Sequence, residues 1–215
     1  MGLIKSFGSS SKGNSVLVGD ILFDAGISPR KINPKPKAVF VTHRHADHMG
    51  YAKDWQKRGI RTYGGEVKPT AFGKIIDLWE EIKINGVTIT ALPSVHDTEN
   101  PMNFIYDDGI NRVLYEVDSA KRHYEVYGIT HYIAECNWDE ATVAKNVTNG
   151  GIDEWRVERL RATHKSLEIL LEELKEMDKT RLQEVWLAHM SETNLNKELA
   201  KTAVQEVVGV PVYFA

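Results

Sequence analysis

Between positions 43 and 48 the chain carries His43, His45, Asp47 and His48, three imidazoles and a carboxylate in the pattern H-x-H-x-D-H. Neutral histidine and ionised aspartate offer nitrogen and oxygen donors to zinc-like ions, and catalytic centres of that kind take three protein ligands each and keep a position open for water. The cluster follows directly on the apolar run Ala38 to Val41. A buried strand of that length delivers side chains at its carboxyl end, where open α/β sheets hold their ligands. A solvated polar loop is the alternative, and so regular a spacing straight after a strand speaks against it.

The same arrangement recurs downstream. His96 stands just past the β-like run VTITAL, Asp118 follows the apolar part of NRVLYEVDSA, Glu135 and Asn137 follow GITHYIAEC, and His189 ends EVWLAH. A single site fed by several strands explains this regularity economically. Two metal ions about 3.5–4 Å apart can activate one water and stabilise the charge that develops on a phosphoryl or carbonyl group. The sequence supplies the ligands for such a pair: His43, His45 and His96 for one ion, Asp47, His48 and His189 for the other, with Asp118 between them. A set of histidine and aspartate without thiolate suits zinc and also admits manganese or iron.

The elements that must position these residues are short. LIKSF, SVLV and ILFD read as a β-meander, with a glycine- and serine-rich loop at residues 8 to 14 and Gly19-Asp20 as a hairpin turn. That loop fails as a phosphate-binding P-loop, because Asn14 and Ser15 follow Gly13 where Lys and Ser or Thr are needed. Residues 50 to 59 predict a short helix closed by Gly59, and Arg61 to Tyr63 a further strand. EIKI and VTITAL are joined by Asn85-Gly86, the strongest short hairpin signal. The tail predicts a helix over 165–178, the strand EVWLAH, a helix over 195–208 and a last strand VPVYFA. No linker or repeat divides the chain, so residues 1–215 are expected to form one domain.

Composition narrows the function classes. With 27 basic and 30 acidic side chains the net charge is −3, which excludes a polyanion binder working through bulk charge and leaves room for a local basic patch. No apolar stretch approaches the ~18 residues of a membrane span and the first residues carry no signal-peptide core, so a soluble cytoplasmic protein without membrane contact is expected. The single cysteine, Cys136, has no partner for a disulfide and sits in an apolar context that predicts a core residue.

Taken together these stretches resemble the metallo-β-lactamase-fold hydrolases. THRHADH matches that superfamily's second motif, SVHD its third, VDSA its fourth and LAHMS its fifth. The resemblance implies an α/β fold, a four-layer αββα sandwich of two mixed β-sheets flanked by helices, with a dinuclear site at one edge of the sheets. Asp118 in the bridging position resembles the phosphodiesterase and glyoxalase II branches more than the true β-lactamases, which commonly use cysteine there. The opening GSSSKGNSVLV with ILFDAGIS, and the order of HDTENPMNF, AECNWD and THKS, resemble the YycJ (WalJ)-like group. Glu135 paired with His164 resembles tRNase Z, in which a Glu and a His face the scissile phosphate, although the motif here reads THKS rather than H-S-T or H-L-S. A carboxylate-held histidine stays oriented and more readily protonated, and can donate to a phosphate oxygen or a leaving group. Asp47, Glu135 and His164 are therefore the expected catalytic residues; a surface histidine at a helix start is the plainer reading of His164.

Before His164, the run EWRVERLRATHK surrounds Trp155 with Arg156, Arg159, Arg161 and Lys165. Basic side chains beside an aromatic can grip phosphates while a base stacks; the alternative is an exposed helix face whose Glu154 and Glu158 make i,i+4 pairs. These four cations and Asn137 are the expected substrate contacts. His123 and His131 are read as structural or exposed, and the leucines of SLEILLEELKEM as core or homodimer contact. The expected function is a two-metal phosphodiesterase, a nuclease acting on nucleic-acid ends, DNA in preference to RNA, through metal-activated water. A small cyclic nucleotide, a thioester or a lactam could serve the same site, and a metal-stabilised binding module without turnover is the non-enzymatic alternative.

Overall fold

The computed structural model describes residues 2–215. Among the described residues thirteen strands form two sheets. The first joins β1 (Ile4–Ser10), β2 (Gly13–Val18), β3 (Ile21–Phe23), β4 (Ala38–Phe40), β5 (Arg61–Gly64) and β6 (Gly73–Ile75) in chain order. It is mixed: β1, β2 and β3 pair antiparallel, whereas β3 to β6 pair parallel. The second runs β13-β12-β11-β10-β9-β8-β7, from β7 (Glu81–Ile84), β8 (Val87–Pro93), β9 (Met102–Asp107) and β10 (Arg112–Glu116) to β11 (His131–Glu135), β12 (Glu184–Ala188) and β13 (Val212–Phe214). Here β7 to β10 form an antiparallel meander and β11 to β13 are parallel. The helices α1 (Ala46–Met49), α2 (Ala52–Lys57), α3 (Glu140–Thr148), α4 (Glu154–Thr163), α5 (Leu167–Glu176) and α6 (Lys197–Val208) flank the sheets. This is the expected α/β architecture of two mixed sheets flanked by helices. Among the described residues no helix is long and apolar enough to cross a membrane.

The chain divides into two compact units, Met1–Pro93 with Thr98–Tyr115 and Ala215, and Ser94–Asp97 with Glu116–Phe214. In the first, β2, β3 and β4 are buried along their whole length, as continuous apolar runs require when both faces are covered. The two sheets pack face to face here through aromatics: Phe23 stacks on Tyr115 at 5.0 Å and on Phe104 at 5.7 Å, and Phe40 meets Phe104 edge-on at 5.6 Å. At the β7–β8 turn Asn85 and Gly86 both have positive φ, 51° and 85°, the geometry of a two-residue hairpin turn that follows the strand twist. The loop expected over residues 8–14 is mostly strand, with β1 and β2 running to Ser10 and from Gly13 so that Ser11 and Lys12 alone make the turn. In the second unit, β11 is wholly buried and α5 and α6 carry apolar faces, with side-chain caps from Ser166 and Asn196. The pattern of α4 is polar all round, which hides it from a periodicity search.

Candidate metal centre

Within the first unit, β4 ends at Phe40 and hands Thr42, His43 and the short α1 to a turn built on Asp24. Asp24 is fully buried, and its carboxylate accepts hydrogen bonds from Thr42 N at 2.8 Å, Thr42 Oγ1 at 2.9 Å, Tyr115 OH at 2.9 Å and His48 Nδ1 at 2.8 Å. Because the Thr42 hydroxyl donates to Asp24, it accepts from His43 Nδ1 at 3.0 Å. The network thus sets His43 and His48 as Nδ1–H tautomers with the Nε2 lone pair as the donor, the arrangement that outer carboxylates and hydroxyls impose on metal-ligating histidines. The His43 ring lies 4.6 Å from that of His45 and 4.2 Å from that of His48, centroid to centroid. His48 Nε2 faces Asp47 Oδ2 at 3.4 Å, and the Asn14 amide nitrogen touches both, at 2.9 Å and 3.3 Å.

Backbone packing holds this loop in place. A Cβ on Gly26 would lie 1.7 Å from the Asp47 carbonyl oxygen, so only glycine admits the approach. The contact is reinforced by Ala25 N donating to His48 O at 2.6 Å and Tyr51 N to Ala25 O at 2.8 Å. Asp24 and Asn14 are site residues that sequence reasoning did not single out, although both lie in stretches, ILFDAGIS and GSSSKGNS, that carried the resemblance.

Within the second unit, Asp118 and His189 follow the ends of β10 and β12 with φ of 48° and 51°. With Asp24 at 61°, three of the five non-glycine residues in the left-handed region among the described residues belong to such strand-end turns. Such conformations cost about 1–3 kcal/mol each and concentrate at functional sites. Asp118, Glu135, His164 and His189 each bring a donor atom within 4.8 Å of the others. His189 Nδ1 lies 2.7 Å from Asp118 Oδ1 and 3.1 Å from Glu135 Oε1, and His164 Nδ1 lies 2.7 Å from Glu135 Oε1 and 3.3 Å from Asp118 Oδ1. The other Glu135 oxygen accepts Ser119 N at 2.8 Å. His96 Nδ1 donates to Thr163 O at 3.0 Å, which turns Nε2 toward Asp118 Oδ2 at 3.7 Å and Asp97 Oδ1 at 3.2 Å.

The electrostatics follow from these contacts. Burial alone would lower the pKa of His164, but attraction by Glu135 and hydrogen bonds to Asp118 and Glu135 outweigh it and raise it to about 9. Burial would likewise raise Glu135, and the facing His164 brings it down to about 2 instead. His96 is lowered, first by burial and against the pull of Asp118, which keeps it neutral and suited to ligation. Buried imidazoles whose Nδ1 is held by a hydrogen bond and whose Nε2 faces a carboxylate oxygen, at 3.4 Å for His48 and 3.7 Å for His96, fit divalent cations of the zinc and manganese kind.

Of the expected substrate contacts, Lys165 and Asn137 are engaged in the interior. Lys165 is fully buried, its Nζ 2.7 Å from Glu116 Oε1 and 2.7 Å from Glu173 Oε2, so it cannot meet a phosphate. Asn137 is also buried and positions His189, donating to its carbonyl at 2.7 Å with the Nδ1 atom 3.2 Å away. Arg161 is drawn to Glu140 at 2.8 Å, Arg156 stays exposed near Asp153 at 3.9 Å, and Arg159 binds Asp97 at 2.8 Å. His164 lies not at a helix start but just past the end of α4, with extended φ −133° and ψ 145°. His131 is buried against Glu184 at 3.6 Å, and Cys136 is a buried free thiol.

No protein-family model matches the chain, and no curated protein matches it by sequence. Solved structures do match in fold. The metallo-β-lactamase fold protein YhfI from Bacillus subtilis has a TM-score of 0.72 at 18% identity, the match covering 99% of this chain and 95% of that one. Zinc-bound PqqB from Methylobacterium extorquens has a TM-score of 0.67 at 14% identity, covering 99% and 84%. A diphosphatase from the PhnP family has a TM-score of 0.61 at 15% identity, covering 99% and 94%. The chain has the metallo-β-lactamase fold.

Proposed function

We propose that this chain is a metal-dependent hydrolase, a phosphodiesterase that cleaves nucleic acids from their ends, DNA in preference to RNA. In this reading His43, His45 and His96 hold one divalent ion and Asp47, His48 and His189 the other, with Asp118 between them. Such a pair of ions, zinc or manganese, supplies an activated water and stabilises charge on a phosphoryl group. The 2.7 Å bond between half-buried His164 and fully buried Glu135 is the observation that carries phosphodiester chemistry over other hydrolysis. Glu135 fixes the His164 ring and favours its protonated form, so that His164 can donate to a phosphate oxygen or to the departing oxygen. Ser119 N, bound to the second Glu135 oxygen, keeps that carboxylate from rotating away. Thr163 and Asn137 orient His96 and His189 through their other ring or backbone atoms.

The fold likeness to a diphosphatase and to a zinc-bound protein is consistent with this reading, as is the resemblance to the YycJ-like and tRNase Z-like branch. The test is hydrolysis of end-labelled single- and double-stranded DNA by the purified chain with zinc or manganese, beside RNA, cyclic nucleotides and a thioester. Release of end nucleotides, absent from an Asp47→Ala variant, is expected. Cleavage of none of the phosphodiesters above that control would overturn the reading.

A further inference from the structure

We propose that the cavity beside His164 is a nucleotide pocket, in which the indole of Trp155 stacks on a nucleobase while Arg156 and Arg159 take the phosphate. The cavity measures about 470 Å³, within the range of about 300–1,000 Å³ usual for small-ligand sites, and Trp155, Arg156, Arg159, Ile152, Asn194 and His164 contribute to its lining. As the substrate class of the catalytic site, this pocket rests on the phosphodiesterase reading; as a binding site it does not.

Trp155 is 61% exposed on a helix whose buried residues are Val157 and Thr163, so the indole is not there to fill the core. The packing of α4 is supplied instead by Val157 with Trp138 and Val143, joined by Ile152 and Leu160. What sets this indole apart from other exposed aromatics is its place in the wall of a cavity that also holds His164, where its flat face can stack on an aromatic ligand. The Arg156 guanidinium lies over the ring, 5.2 Å from its centroid. Arg159 grips Asp97 Oδ2 through Nε at 3.2 Å and Nη2 at 2.8 Å, and Asp97 Oδ1 in turn lies 3.2 Å from His96 Nε2. One wall of the cavity is therefore tied to His164 and, through Asp97, to His96. A phosphate entering beside His164 meets the Arg156 guanidinium and the Nη1 side of Arg159, whose Nε and Nη2 Asp97 holds in place. A π-face reads no base edge, so the pocket accepts any base and rejects a sugar phosphate that lacks one.

The experiment is calorimetric titration of the metal-loaded chain with 5′-AMP, 5′-dTMP and ribose 5-phosphate, alongside hydrolysis of bis(p-nitrophenyl) phosphate as a base-free report on the catalytic centre. Both nucleotides are expected to bind about tenfold tighter than ribose 5-phosphate, the weight of one base on one indole. In Trp155→Ala that advantage disappears while the affinity for ribose 5-phosphate and the melting temperature stay unchanged, and Trp155→Phe keeps most of it. Equal binding of nucleotides and sugar phosphate by the unaltered chain, or an advantage that survives in Trp155→Ala, overturns the pocket even if bis(p-nitrophenyl) phosphate is hydrolysed. A Trp155-dependent advantage without hydrolysis of any phosphodiester supports the pocket and removes the phosphodiesterase reading alone.

Discussion

Replacing Lys165 by methionine separates a buried structural cation from a substrate-binding one. The ammonium is fully buried and held at 2.7 Å by both Glu116 and Glu173. Burial alone would lower the Lys165 pKa and raise that of Glu116, yet each moves the other way because the facing charges outweigh desolvation. Methionine keeps the apolar stem and deletes the charge. Glu116 then retains Tyr132 and Arg122, whose Nη1 is 3.6 Å away, while Glu173 keeps the Arg122 backbone N–H at 2.7 Å. Breaking a buried pair by removing one partner costs about 3–5 kcal/mol. For a chain of this size each kcal/mol is worth about 2–4 °C, so Lys165→Met should melt about 6–20 °C lower. The deficit should also depend on pH. With the ammonium gone, Glu116 and Glu173 share only Arg122, so protonating one of them relieves uncompensated buried charge and the variant recovers part of its stability as pH falls. The loss in melting temperature is therefore smaller at pH 5 than at pH 8. Thermal unfolding at the two pH values, with KM measured on DNA ends, checks this. An unchanged melting temperature with a severalfold rise in KM would show that Lys165 reaches substrate and would refute the buried triad.

Four further substitutions, one of them a control, test the site piece by piece. Asp24→Asn keeps the shape but loses the acceptor for His48 Nδ1, and should weaken zinc binding about 10–100-fold in a chelator competition. Gly26→Ala drives a methyl group into the Asp47 carbonyl, and should lower both metal content and melting temperature, whereas Gly86→Ala, with open space around its Cβ, should leave metal content intact. His164→Ala should cut kcat by about 10²–10⁴ while bound metal, read by elemental analysis, is retained; loss of metal instead would make His164 a ligand.

The strand-end cluster around His43 was legible because a buried strand followed by several donors is a local signal, and Asn85-Gly86 because only a tight turn requires two positive φ values in succession. Asp24 was not. A lone acid after a three-residue strand reads as a turn residue, and its partners Thr42, His48 and Tyr115 lie 18, 24 and 91 positions away. Lys165 misled for the complementary reason. It continues the spacing of Arg156, Arg159 and Arg161, but α4 ends at Thr163, and the extended backbone at His164 turns the next side chain inward toward Glu116, 49 positions away in sequence. The turn end of the β1–β2 hairpin, Gly8 to Ser10 with Gly13 and Asn14, reads as a loop because it lacks the apolar alternation that marks a strand, and the polar pattern of α4 leaves its helix only as an alternative to a basic patch.

The measurement closest to the central claim is metal stoichiometry. The chain, stripped by chelator and dialysed against zinc or manganese, should bind two divalent ions, and cleavage of end-labelled DNA should return in step with the second. A chain that binds one ion or none at saturating metal would contradict the account.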